Sequence, residues 1–449
     1  MHVGGNQGSR GGDSGQEFFI ENILDELDSP GEFYFDTISR KLYLWYNASG
    51  GPPPDGSVVV PTVTVLINAT GTQEDPVVGV GFLGIGFKDT APNYMGPHGT
   101  PSGGDWAIER SAAVFFEGTL NTEIDGCYFT TLDGNALFFS GFNRFAAVTR
   151  NEFYSIGETC ISQWGYTDGS PVPGMGFDAT AGNQPRGTLV AFNYAHEMGL
   201  WTKQNSFYFQ AESFLNVLQG NIAYNGPRAG INFDDGMGGG STIAQNVLFN
   251  FCRESSDHGP FNSWNRQVYL VNGANGEPTT AKQNDTIVRN FIIGNYHSSM
   301  CIDNDDGSAY YDTHDNVFVS RSEGAAYGGS SLKGDFGGHD NFHHGNLDLF
   351  WELGFSLVTT LPGHASGYYD NILWIAADGN YGEGQQCAIS QGLTIVYNNT
   401  VFSPTGRLTE CGFPLRVWQK SGHDHDTLGL AYPSDEVILT IARSMLGLL

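Results

Sequence analysis

The chain has 449 residues, enough for a large core, and a formal net charge of −28. That charge repels polyanions, so nucleic acids and anionic membrane surfaces are poor candidates as partners, and a neutral or cationic ligand is easier to accept. Glycine is abundant at 62 residues, aromatics make up 13% and charged residues only 15%. This vocabulary of strands and turns predicts an all-β protein.

The first residues, MHVGGNQGSRGG, carry neither a basic nor an apolar signal region, and no run of about 18 apolar residues follows anywhere. If the protein is exported, its signal is expected upstream of, or removed from, this chain. Sequons at Asn47, Asn68, Asn284 and Asn398 add weak support for secretion. Residues 31 to 47 predict a β-hairpin that turns at Thr37-Ile38-Ser39-Arg40, and the alternation through 57 to 120 predicts early coils of a larger array. Gly79-Val80-Gly81-Phe82-Leu83-Gly84 matches a dinucleotide fingerprint. It is followed by IGFKDTAPNYMG, which has no helical period, and is read as a chance match in a strand.

The main signal is a repeat. Asn151, Asn193, Asn221, Asn246, Asn290, Asn316, Asn341 and Asn371 each precede a short apolar stretch, a turn and a second apolar stretch. Their period is about 25 to 30 residues once the insertions at 168 to 187 and 272 to 285 are set aside. Asparagine tolerates the left-handed backbone region and can hydrogen-bond along a column, so a recurrent Asn is expected to turn the chain at one corner of every coil. This predicts a single-stranded, right-handed parallel β-helix with loop insertions. A β-propeller is the distant alternative. The organisation expected is an N-terminal β-rich segment over 1–110, the β-helix over 111–420, and a tail over 421–449. In that tail SGHDHD is a linker and DEVILTIARSMLGLL a short helix covering the open end of the stack.

Counted from their asparagines, Asp234 and Asp303 fall at the same offset, and Asp257 and His258 fall just short of it in the coil between. If the register holds, the three aspartates form one column. Rungs about 4.8 Å apart would separate Asp234 from Asp303 by roughly 9 to 10 Å, with Asp257 about 5 Å from either. Glycoside hydrolysis uses two carboxyl groups at such separations, and crowding should raise the pKa of one so that it serves as the acid. Trp264 and Trp164 offer flat faces for sugar rings. Arg228, Asn232, Asp235, His258, Asn262, Arg266, Gln267 and Asp305 can hydrogen-bond hydroxyls. The alternative for these acids is stacked turns, or a calcium ion on Asp303, Asp305 and Asp306. Otherwise no cofactor is required. His339, His343 and His344, like HDHD at 423 to 426, are read as surface groups. Among six cysteines, Cys387 and Cys411 are the best candidates for a bridge, with buried free thiols as the other reading.

PGEFYFDTISRKLYLW, GPRAGINFDDGMGGG, RESSDHGPFNSWNRQ and IDNDDGS resemble right-handed β-helix proteins of the pectin-lyase-like superfamily. The nearest catalytic relatives are β-helix glycoside hydrolases such as glycoside hydrolase family 141, with fucosidase and xylanase activities. The resemblance spans about residues 20 to 400 and departs in lacking upstream coils and an N-terminal cap, which suggests a truncated chain. It implies a secreted, carbohydrate-active enzyme, here expected to be a monomer, with Asp234, Asp257 and Asp303 as its catalytic acids. A polysaccharide lyase, or a surface protein that binds glycan without turnover, remains the alternative. Basic groups for a lyase are limited to Arg228, Arg253 and Arg266.

Overall fold

The structure is a computed structural model that describes residues 20–47, 51–101, 106–168, 178–236, 238–264, 275, 277, 282–322, 329–334, 337–357, 361–384, 387 and 394–449. It divides into two units, one over Arg10–Thr62 and one comprising Met1–Ser9 and Val63–Leu449. In the smaller unit, Phe33–Asp36 pairs antiparallel with Lys41–Leu44. Asp36 accepts hydrogen bonds from the Ile38 and Ser39 amides at 2.9 and 3.2 Å, so the hairpin turns where expected.

The larger unit is the parallel β-helix. Its described residues form three long sheets of 13, 11 and 12 strands, and successive coils contribute one strand to each. Every second side chain points inward, which packs like residues on like along the axis. On the third sheet Phe87, Phe129 and Phe153 stack with ring centroids 5.0 and 4.8 Å apart. Gly81–Leu83 and Gly86–Lys88, the glycine fingerprint region, are strands of the second and third sheets.

The asparagine ladder lies at the corner between the second and third sheets. Asn221 shows the pattern. Its side-chain oxygen accepts from the backbone and side-chain nitrogens of Asn193 at 3.0 and 2.9 Å, while its Nδ2 donates to Val190 O and Asn246 Oδ1, both at 2.9 Å. The column runs Asn151, Asn193, Asn221, Asn246, Asn290, Asn316, Asn346, Asn371 and Asn399. Cys127 donates its amide to Asn151 at one end, and Thr427 Oγ1 accepts from the Asn399 amide at the other.

Two expectations change here. Asn341 is not a rung; the rung is Asn346, and Asn341 instead accepts from the Tyr311 amide at the preceding corner. Nor do the asparagines themselves turn the chain. The residue before each one is left-handed, as at Arg150, Phe192, Gly220, Gln245, Arg289, Asp315, Gly345, Asp370 and Asn398. Asparagine supplies the amide, and its predecessor absorbs the bend.

The tail also differs. Residues 421–431 are not a linker, because Asp424 and Thr427 are buried and Leu428–Ala431 extends the third sheet by pairing with Thr400–Ser403. The helix Asp435–Met445 lies against the outer face of that sheet, with Ile438, Ile441 and Met445 on Val317, Leu347, Leu349 and Phe402, rather than over the open end. Leu415, of the shorter helix Leu415–Lys420, is the residue that joins the interior cluster. Cys387 and Cys411 form a disulfide, and Cys127, Cys160, Cys252 and Cys301 are buried free thiols.

Each ladder side chain satisfies a buried amide and a buried carbonyl of the preceding coil, as Asn221 does for Asn193 N and Val190 O, and leaving such a group unpaired costs about 1–3 kcal/mol. Asn221→Ala is therefore expected to destabilise the β-helix by about 3 kcal/mol or more, measured by urea unfolding.

Candidate functional site

The outer face of the first sheet carries two rows of outward side chains that turn polar along the stack. One runs Phe138, Ser162, Phe209, Asn232, Asn262, Asp303, Lys333 and Ser356. The other runs Ser140, Trp164, Ala211, Asp234 and Trp264. Ile231, Phe233, Phe261 and Ile302, on the same strands, face the interior. Alternation thus places Asn232, Asp234, Asn262, Trp264 and Asp303 together on one outer surface.

The expected single column of three aspartates does not form. Asp303 is in register with Asn262 and Asn232, whereas Asp234 is in register with Trp264, one row across. Constant offsets fail because both the third-sheet strand and the turn after it change length, being Ile222–Tyr224 with 225–230, Val247–Phe249 with 250–260, and Phe291–Tyr296 with 297–301 in these three coils. Asp257 lies in the longest of these turns, half-buried and with φ of 76°, outside the strand ladder.

His258 is the turn residue that faces the acid, with Nδ1 3.7 Å from Asp303 Oδ2. Asn262 Nδ2 donates to Asp303 Oδ2 at 2.9 Å, and Asn232 Nδ2 donates to Asp234 Oδ1 at 3.0 Å. Arg228 Nη2 stands 3.3 Å from His258 Nδ1, and its guanidinium carbon lies 4.9 Å from the Trp106 ring centre. Trp164 keeps its place in the Asp234 row, but Arg110 covers its ring at 3.8 Å. Arg266 and Gln267 lie outside the described residues.

Lys333 is the group that sequence reasoning missed. Its Nζ is 3.2 Å from Asp303 Oδ1 and 3.3 Å from Asp305 Oδ1, between the two carboxylates proposed for calcium. An ammonium therefore supplies the positive charge there, which argues against the calcium expectation for Asp303, Asp305 and Asp306. A lysine inside the strand Ser330–Gly334, in a chain poor in basic residues, was the available signal. Burial alone would raise the Asp303 pKa, but Lys333, His258 and Asn262 hold it below the ordinary carboxylate value. The carboxyl is completely buried, and these three partners favour its ionised form.

A second acid pair follows the strands Tyr208–Ala211 and Ile231–Asp234. The Glu212 amide donates to the Asp235 carbonyl at 3.1 Å, and Thr167 Oγ1 donates to Glu212 Oε1 at 3.1 Å. Burial, then the nearby Asp235, pushes Glu212 up to about 8. The histidines also depart from the surface reading. His343 sits in the inward row of the second sheet between Thr313 and Tyr368, where burial pushes it down to about 3. His339 is buried as well, and His344 is partly exposed.

This is a parallel β-helix protein with a buried, charge-compensated acid cluster on the outer face of one sheet. No protein-family model matches the chain, and no curated protein matches it. Its fold is similar to that of a solved structure titled "Glycoside hydrolase", at 17% identity and a TM-score of 0.51, covering 71% of this chain and 58% of that one. The chain thus spans 58% of that protein's length, and a likeness at this identity bears on fold. A second match, the crystal structure of PfbA, a surface adhesin of Streptococcus pneumoniae, has 12% identity and a TM-score of 0.33, over 75% of this chain and 70% of that one. No helix among the described residues is long and apolar enough to cross a membrane.

Glu212 takes up its proton more readily folded than unfolded, so its contribution to stability is full below its ordinary value of 4.5 and is lost as pH rises through about 8. Glu212→Gln removes that loss. Thermal melts are expected to show the variant gaining on the parent between pH 5 and pH 8, by on the order of 2 °C.

Proposed function

We propose that this protein is a carbohydrate-active enzyme, a glycoside hydrolase that cleaves a neutral polysaccharide or oligosaccharide. The observation that carries the reading is the outer polar surface of the first sheet, where Asp303 is kept ionised by Lys333, His258 and Asn262 and Asp234 lies two rungs away on the same side. Two rungs correspond to roughly 9 to 10 Å along the axis, and the one-row offset adds roughly 6 to 7 Å across it, so the two backbones stand roughly 12 Å apart. With the side chains leaning together, that separation is nearer to an inverting pair, at about 6.5–9.5 Å, than to a retaining one, at about 5–5.5 Å.

In this reading Asp303 is the base that takes a proton from the attacking water. Asp234 is the acid that protonates the leaving oxygen. Lys333 and His258 hold Asp303 in its charged form. Arg228, Asn232 and Asn262 contact sugar hydroxyls, and Trp264 provides a ring face. Asp235, Asp257 and Asp305 stay at the periphery as further hydroxyl partners. Asp234, Asp303 and Trp264 are all buried, so in this reading a glycan must displace the groups that bury them. The sequence blocks quoted above favour family 141 among β-helix hydrolases, and the Cys387–Cys411 disulfide suits an extracellular setting.

One observation favours a lyase as the second reading. Lys333 and His258 face Asp303 and Arg228 contacts His258, so Lys333 is a basic group able to meet a uronate that the sequence did not suggest.

A product screen against a broad polysaccharide panel separates the two. Reducing sugars without ultraviolet-absorbing unsaturated uronates are expected. Asp234→Asn and Asp303→Asn should each lower sugar release by about 10²–10⁴-fold, the usual worth of a general acid or base, with the circular dichroism spectrum retained. Full activity in both folded variants would remove the reading.

A further inference from the structure

We propose that His339, Asp340 and His364 form a divalent-metal site that takes a borderline first-row ion such as zinc, clipping two consecutive coils together. The strand Ser330–Gly334 of the first sheet leads through His339 and Asp340 into Phe342–His344 of the second sheet. One coil later, Leu353–Leu357 leads through His364 into Ser366–Tyr369. The two imidazoles therefore meet at the same corner of neighbouring coils, with ring centroids 4.3 Å apart.

Both rings turn Nδ1 toward one carboxylate oxygen. Asp340 Oδ2 lies 2.8 Å from His339 Nδ1 and 2.6 Å from His364 Nδ1. One donor atom from each residue falls within 4.8 Å of the others. Tetrahedral zinc, with bonds of about 2.0–2.1 Å, needs its ligand atoms about 3.3 Å apart, so the present contacts open by roughly half an ångström as the ion replaces the hydrogen-bonded protons. Each imidazole then carries its proton on Nε2 and gives the Nδ1 lone pair to the metal.

The surroundings suit this exchange. His339 has only 7% of its side chain exposed, whereas Asp340 has 26% and His364 38%, so the set is anchored on one side and open to a water or further ligand on the other. Two nitrogens and one carboxylate oxygen match zinc or its first-row neighbours and fall far short of the six to eight oxygens of calcium. Cys387, Glu410 and Cys411 also converge, but their sulfurs are joined in the disulfide.

The test is calorimetric titration of the full chain with zinc chloride, paired with thermal melts. Saturable binding at one zinc per chain and a melting temperature that rises with zinc are expected. His364→Ala and Asp340→Asn should each weaken binding at least tenfold and abolish the rise, while His344→Ala, on the adjacent His314–His344 stack, leaves both unchanged. Absence of saturable binding by the parent chain would overturn the proposal, as would equal affinity in the parent and His364→Ala.

Discussion

The buried amide column is the constraint on which the rest of the molecule depends. At each turn from the second sheet to the third, an asparagine side chain satisfies an amide and a carbonyl of the preceding coil and donates to the side-chain oxygen of the next asparagine. A buried amide left half-paired is costly, so the column fixes where each coil sits on its neighbour. It also demands a left-handed residue immediately before each rung. Glycine meets that demand at Gly220 and Gly345, but Phe192 and Arg150 meet it too. The column therefore outweighs an unfavourable backbone state at residues with large side chains.

Register set at one corner is transmitted unevenly to the other faces. The second-sheet strands before the column are all three or four residues long, whereas the third-sheet strands and the turns into the first sheet differ in length from coil to coil. Those turns decide which outward side chains become neighbours. A short turn at 225–230 puts Asn232 in line with Asn262, and a long one at 250–260 brings His258 over Asp303. Chemical variety concentrates on this face because its register can change without disturbing the amides.

Much of the architecture was legible in the sequence because it is written in single residue types at a regular period. The ladder, the hairpin and the Cys387–Cys411 bridge all follow from local chemistry. Asn341 shows the limit of that reading. It and Asn346 lie five positions apart in one coil, both are buried, and only their partners tell which belongs to the column. His343 misled for a related reason. A polar residue beside a turn looks like a surface group until the pleat shows that it points inward between Thr313 and Tyr368. The acid surface was found, but its pairing was not, since equal offsets imply alignment only where the intervening turns are equal. Lys333 lies on the coil beyond Asp303 and carries no motif of its own.

The compensation of Asp303 bears on why the cluster exists. Burying a carboxylate with an ammonium is at best neutral for stability when compared with well-packed apolar side chains of similar volume. Upstream, the same outer row is apolar, with Phe138 and Phe209 packed beneath Trp106, Ile108 and Ala112, so an uncharged solution fits this face. The charged solution replaces it at the coils where Asn232, Asn262, Asp303 and Lys333 follow one another. Stability alone gives no reason for that change. The proposed function gives one: if Asp303 is the base of a hydrolase, a carboxylate surrounded by fixed partners needs little reorganisation when it accepts a proton.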